Sequence, residues 1–76
     1  MRKLENKLII TFPSTVAAMA MEKACSETET PGRLIPVPPV ISAGCGMCWC
    51  AEPEDEEACT ALLHRCGLAY EAVYHL

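Results

Sequence analysis

Leu8-Ile9-Ile10-Thr11-Phe12-Pro13-Ser14-Thr15 is the stretch from which the architecture follows. Its first five residues are apolar and largely β-branched, and Pro13 cannot donate to a ladder, so a strand is expected up to Phe12. Ser14 or Thr15 then offers an N-cap hydroxyl to Val16-Ala17-Ala18-Met19-Ala20-Met21-Glu22-Lys23-Ala24-Cys25, a run of good helix formers. Further on, Thr30-Pro31-Gly32 breaks the chain before a second strand, Arg33-Leu34-Ile35-Pro36-Val37, whose Pro36 belongs on a sheet edge. Met47-Cys48-Trp49-Cys50-Ala51 reads as a third strand, with Met47, Trp49 and Ala51 on one face and Cys48 and Cys50 on the other. The Trp49 face is assigned to the core.

Pro53 and the acids Glu54-Asp55-Glu56-Glu57 suit the positive end of a second helix that runs on to Cys66 and is stopped by Gly67. Along it, Cys59, Leu62, Leu63 and Cys66 fall at i, i+3, i+4 and i+7, an apolar stripe that places both cysteines in the core. Cys25 reads in the same way as the buried end of the first helix. Ala69 to Leu76 alternates as a closing strand. The order β-α-β-β-α-β in so short a chain points to an α+β, ferredoxin-like split βαβ arrangement: a four-stranded antiparallel sheet in the order 4-1-3-2 with both helices on one face.

The chain has 76 residues and a net charge of -4. It reads as a single domain over 1–76, with 1–6 as a flexible N-terminus. Only six Lys or Arg are present, without a basic stripe, which argues against nucleic acid as a partner. No apolar run reaches the roughly 18 residues of a membrane span. A hydrophobic content of 51% is high for so small an interior, and makes a buried sheet face or a homodimer surface an expectation. Met1 to Lys7 leads directly into the first strand without a signal-peptide pattern, so a reducing cytoplasm is the expected compartment, and the six cysteines are expected to be free thiols, ligands or redox groups rather than permanent bridges.

Three of those cysteines crowd into Cys45-Gly46-Met47-Cys48-Trp49-Cys50. Cys45 stands between Gly44 and Gly46, where the backbone can turn sharply and a charged group can approach the main chain. The expected topology brings this turn to the end of the sheet where the first helix begins, beside Ser14 and Thr15, whose unpaired N–H groups and dipole favour an anion. The second helix ends at the same edge, so Arg65 is a further candidate for anion stabilisation. Other chemistries remain open at this stage. Cys45 and Cys48 have zinc-knuckle spacing, and with Cys50 they make a candidate metal set or a thiol-redox module. Cys48 and Cys50 are also candidate resolving thiols.

Ile10-Thr11-Phe12-Pro13-Ser14-Thr15, Arg33-Leu34-Ile35-Pro36-Val37-Pro38 and Ile41-Ser42-Ala43-Gly44-Cys45-Gly46, taken in order with the terminal Tyr70-Glu71-Ala72-Val73-Tyr74, resemble the small bacterial family of selenium/sulfur (Se/S) carrier protein-like domains. The resemblance covers nearly the whole chain. It implies that Cys45 is the thiol that holds a persulfide or perselenide-type group, that sulfur or selenium donor and acceptor proteins are the partners, and that the chain needs no cofactor and has no turnover of its own. Pro39 departs from this pattern, standing where a basic residue is common, and Cys48 and Cys50 are additions.

Overall fold

The strand Leu8–Thr11 (β1) is buried at every residue because it lies in the middle of a sheet. The computed structural model describes residues 7–41 and 45–76; residues 1–6, expected to form a flexible N-terminus, and residues 42–44 lie outside them. Four antiparallel strands run in the order β2-β3-β1-β4, where β2 is Arg33–Pro36, β3 is Met47–Ala51 and β4 is Ala72–His75. This is the expected 4-1-3-2 order read from the opposite edge. Pro36 lies in an edge strand, where its missing N–H removes no ladder bond from the centre. In the register, Ile10 stands between Trp49 and Val73, and Thr11 between Cys48 and Ala72.

Two helices connect the strands. Helix α1, Thr15–Thr28, starts at Ser14, whose Oγ accepts from the Ala17 N–H. It runs three residues beyond the expected Cys25 and ends at Glu29, a non-glycine residue at φ 56 whose N–H, like that of Thr30, reaches the Cys25 carbonyl. The second helix does not begin at Pro53. A 3-10 turn, Pro53–Asp55, precedes α2, Glu56–Arg65. At its far end the Gly67 N–H bonds to the His64 carbonyl and the Leu68 N–H to the Leu63 carbonyl, a Schellman closure with Gly67 at φ 61.

That closure corrects one expectation. Cys66 is exposed, not part of the core. The helix ends at Arg65, so the i+7 step from Cys59 falls outside the last turn, and Leu68 folds back onto the core instead.

One face of the sheet presents Leu8, Ile10, Trp49 and Ala51, joined by Phe12 beyond the end of β1. Ala17, Ala18, Met21 and Cys25 of α1 and Cys59, Leu62 and Leu63 of α2 pack on them, so both helices lie on this face and Trp49 is buried beneath them. Full burial of a Leu, Ile, Met or Phe stabilises by about 1.5–3 kcal/mol, and Leu8, Ile10, Phe12, Met21, Leu62 and Leu63 are all in that state. The other face is apolar too: Ile9, Cys48 and Cys50 form a second cluster with Ile41, bordered by Ile35, Val37, Tyr74 and Leu76. The segment after β2 folds back over this face, with Pro38 and Ile41 buried. The high hydrophobic content therefore has an internal explanation, since both faces of one small sheet are covered.

Glu29 marks a place where the chain departs from its optimum. An L-residue in the left-handed region costs about 1–2 kcal/mol that glycine avoids. Glu29→Gly is expected to raise the melting temperature, and a gain of about 1 kcal/mol would be a shift of roughly 4–8 °C at this domain size. Thermal unfolding followed by Trp49 fluorescence reads it; a lower melting temperature would mean that the Glu29 side chain itself secures the turn.

Candidate functional site

Cys45 sits in the turn that leads into β3 and is half-buried. It packs against the main core on the helix side of the sheet, as Met47, Leu34 and Leu68 do. Its Sγ lies 3.8 Å from the Met47 carbonyl oxygen, to which the thiol donates weakly. Gly46, next in the chain, is exposed at φ 94, and an added Cβ there would meet nothing within 4 Å. The turn is held from behind by the Val37 N–H, which donates to the Gly46 carbonyl at 2.9 Å. Gly44, the other flanking glycine, lies outside the described residues.

The register fixes which elements share this end of the molecule. Thr11, at the end of β1, pairs with Cys48 on one side and Ala72 on the other, and its carbonyl accepts from the Glu71 N–H. The turn before β3, the start of α1 after β1 and the segment from α2 into β4 therefore all gather at one edge of the sheet. Of the first-turn donors of α1, the Ala17 N–H is taken by the Ser14 hydroxyl and the Ala18 N–H by the Ser14 carbonyl. Ser14 is thus committed to capping, which leaves the N–H groups of Thr15 and Val16 as the donors that helix geometry does not use. Thr15 and Arg65 are both exposed, and Arg65 is in the last turn of α2 at this same edge. The acidic run from Glu52 to Glu57 lies at the opposite end, where β3 finishes and α2 begins.

Cys48 and Cys50 are placed differently. They face away from the helices, 0% and 7% exposed, within the second cluster. Burial pushes the Cys48 thiol up to about 11, with Cys50 and Cys45 adding to it. Burial also raises Cys50, against the opposing pull of Lys7 and Arg33. An exposed resolving pair is therefore not what β3 provides, and for either thiol to meet Cys45 the strand would have to leave its ladder. Cys45 borders the main core whereas Cys48 and Cys50 lie in the second cluster, and among the described residues no three of His, Cys, Asp or Glu are grouped to hold a metal ion.

Cys25 and Cys59 are buried between the helices and the sheet, Cys25 pushed up to about 12 by burial first and by the neighbouring Cys59 and Cys66 thiols after it. This leaves Cys66, with Cys45, as the two cysteines that are not buried. Sequence periodicity missed it, and the signal that could have found it was Gly67, which ends the helix one position too early for the stripe to continue. A groove of about 920 Å³ runs between α1 and the Gly32–Arg33 corner, lined by Val16, Met19, Lys23, Arg33 and Trp49 among others, but not by Cys45. The candidate thiol lies on the turn before β3, away from this groove.

A family model described as "Putative Se/S carrier protein-like" matches residues 7–75. Comparison with curated proteins and with solved structures finds no match in either.

Proposed function

The chain belongs to the Se/S carrier protein-like family, and from that membership we propose that it carries sulfur or selenium as a persulfide- or perselenide-type group on Cys45. The observation that carries the reading is the position of this thiol: half-buried, on a turn outside the ladder, beside an open glycine, at the edge of the sheet where a helix begins. Loading is thiol exchange. The Cys45 thiolate attacks the outer sulfur of a donor protein's persulfide, the donor S–S bond breaks, and the donor leaves as a thiolate while Cys45 keeps the outer sulfur. Transfer to an acceptor thiol is the same step in reverse. The N–H groups of Thr15 and Val16, which helix geometry does not use, the backbone of Gly46, and Arg65 are the groups offered for the anionic end of the cargo. The Met47 carbonyl suits the empty thiol instead, so loading requires the sulfur to exchange an acceptor for donors.

Around this centre the finer readings follow. The βαββαβ order with both helices on one face supports a ferredoxin-like fold. Among the described residues no helix is long and apolar enough to cross a membrane; exchange with protein partners in the cytoplasm is part of the proposed reading. The donor and acceptor are proteins that present a thiol to an exposed turn. Pairing of two chains through the second sheet face loses support, because Ile41 and its neighbours already cover that face.

Mass spectrometry of the reduced protein after anaerobic exposure to inorganic polysulfide or polyselenide, whose chalcogen–chalcogen bond the Cys45 thiolate can cleave, tests the assignment. One added sulfur or selenium atom is expected on the Cys45 peptide, and Cys45→Ser should remove nearly all of it while the fold is kept. Cys66 is an internal control, because it is more exposed than Cys45. If the adduct sits mainly on Cys66, or survives in Cys45→Ser, then exposure alone governs uptake and the carrier reading is wrong.

A further inference from the structure

Strand β2 stands first in the order β2-β3-β1-β4 and pairs on one side only, with β3. Hydrogen bonding along an antiparallel pair alternates, so one known bond fixes which backbone groups point outward. The Val37 N–H donates to the Gly46 carbonyl, and this pair continues the register of Arg33 with Cys50 and Ile35 with Cys48. Arg33, Ile35 and Val37 therefore turn their backbone groups toward β3, whereas Leu34 and Pro36 turn theirs outward. Pro36 offers a carbonyl alone. Leu34 offers both an N–H and a carbonyl, and its half-buried side chain borders the main core on the helix side. Helix α1 packs against β2 and β3 along this edge. It carries the two large apolar residues that the helices expose, Val16 at 77% and Met19 at 58%. Both line the groove beside β2, together with Glu22, Lys23 and Glu27. Those three charges enter neither Lys7–Glu52 nor Glu56–His75, the ion pairs found among the described residues.

We propose that the β2 edge and the α1 flank beside it are the contact surface for a second copy of this chain, with β2 pairing antiparallel to its counterpart and Leu34 on the two-fold axis. A two-fold axis makes a patch meet itself, and an edge strand that meets itself does so antiparallel. In this register Leu34 exchanges both backbone bonds with Leu34 of the other copy, and Pro36 falls opposite Gly32. The missing N–H of Pro36 then removes one bond at each end of the contact and leaves the central pair whole. Leu34 is on the helix side in both copies, so the two α1 helices stand on one side of a continuous sheet and bring Val16 and Met19 into a common apolar seam. The charges favour a second copy over a partner of one sign. A wholly acidic surface would meet Glu22 and Glu27, and a wholly basic one Lys23, whereas antiparallel helices related by the axis set the Lys23 of each copy toward the acids of the other. The pairing is independent of what Cys45 carries.

Sedimentation equilibrium of the full chain, kept reduced so that no disulfide joins two copies, is expected to show the mass rising with concentration to twice that of the chain. Amide hydrogen exchange read by NMR at the two ends of the concentration range locates the contact. The Leu34 N–H faces solvent in a single copy and is expected to exchange about tenfold more slowly, or slower still, once the dimer forms. Val73 is the control: the Leu76 N–H bonds to the Lys7 carbonyl, so the same alternation turns the Val73 N–H outward on the opposite edge, where no change is expected. Met19→Glu, an exposed substitution, should weaken association by about tenfold or more and leave the melting temperature of the dilute protein unchanged. Cys45→Ser should dimerise as wild type does, which separates this result from the fate of the carrier reading. A single copy at every concentration would overturn the proposal. So would a dimer in which Val73 rather than Leu34 is slowed, or one that Met19→Glu leaves intact.

Discussion

Gly32→Ala is expected to remove most of the stability of this domain. Gly32 has φ 124, a conformation that L-residues rarely adopt, and a Cβ built there would lie 2.6 Å from Cε2 of Trp49 and 2.9 Å from the Cys50 carbonyl oxygen. Neither obstacle can yield easily. The carbonyl belongs to the central part of the sheet, and the indole is buried with its Nε1 donating to the Pro31 carbonyl at 3.2 Å. Backbone strain of about 1–3 kcal/mol adds to an overpacking cost of about 1–3 kcal/mol. Total stability for 76 residues is on the order of 4–11 kcal/mol, so the variant is expected to be partly unfolded near physiological temperature. Denaturant unfolding followed by Trp49 fluorescence measures the loss. Gly46→Ala is the companion, because its φ of 94 brings strain without a collision. It should cost less than Gly32→Ala, and equal losses in the two variants would remove Trp49 from the explanation.

A second large effect is expected on raising the pH. Burial holds the thiol of Cys25 at about 12 and that of Cys48 at about 11, and it also raises Cys50 and Cys59. In the unfolded chain a thiol ionises near 8.5. Below about pH 8 both states keep their protons and stability is unaffected. Between there and 11 to 12 the unfolded chain has lost protons that the folded chain retains, so stability falls as pH rises. At pH 10 the terms from Cys25 and Cys48 together are on the order of 3–4 kcal/mol, close to the lower end of the whole stability, and they grow further toward pH 11. Cooperative unfolding is therefore expected between about pH 9 and 11, reversible on return to neutral pH under reductant. Cys25→Ala should be less stable at neutral pH but lose stability less steeply above pH 9. A folded protein at pH 11, or an unchanged slope in that variant, would show that these thiols are not kept neutral by the core.

Much of the fold was legible because the decisive signals are local. Pro13 and Ser14 separate strand from helix, alternation places Met47, Trp49 and Ala51 on one face of β3, and Gly67 closes α2. Strand order then followed from the handedness of two crossovers. That the turn before β3 and the start of α1 share one edge of the sheet was legible for the same reason, being a consequence of order and direction. The rest depends on contacts distant in sequence. Nothing in Val37-Pro38-Pro39-Val40-Ile41 states that it folds over Ile9, Cys48 and Cys50, so the sequence left open whether the second face is buried within the chain or pairs with another copy, and whether its cysteines are exposed. Nor does Gly32 announce Trp49, because the indole arrives from a strand that comes later in the chain. Cys66 was misread for a different reason: periodicity was extended through a residue that the glycine after it had already taken out of the helix.

The central position of β1 has a consequence for how the chain is made. It is the first strand to be synthesised, yet Ile10 must wait for Trp49 before one side is paired and for Val73 before the other is. Until then Leu8-Ile9-Ile10-Thr11-Phe12 is an uncovered apolar segment with two open edges, the kind of sequence that recruits another nascent chain. Its closest native partners in time are Ala17, Ala18 and Met21 of α1, which can cover one face soon after it emerges. The sheet itself closes only when almost the entire domain has left the ribosome, so folding of this small protein is expected to be late and all at once, and dependent on long-range pairing.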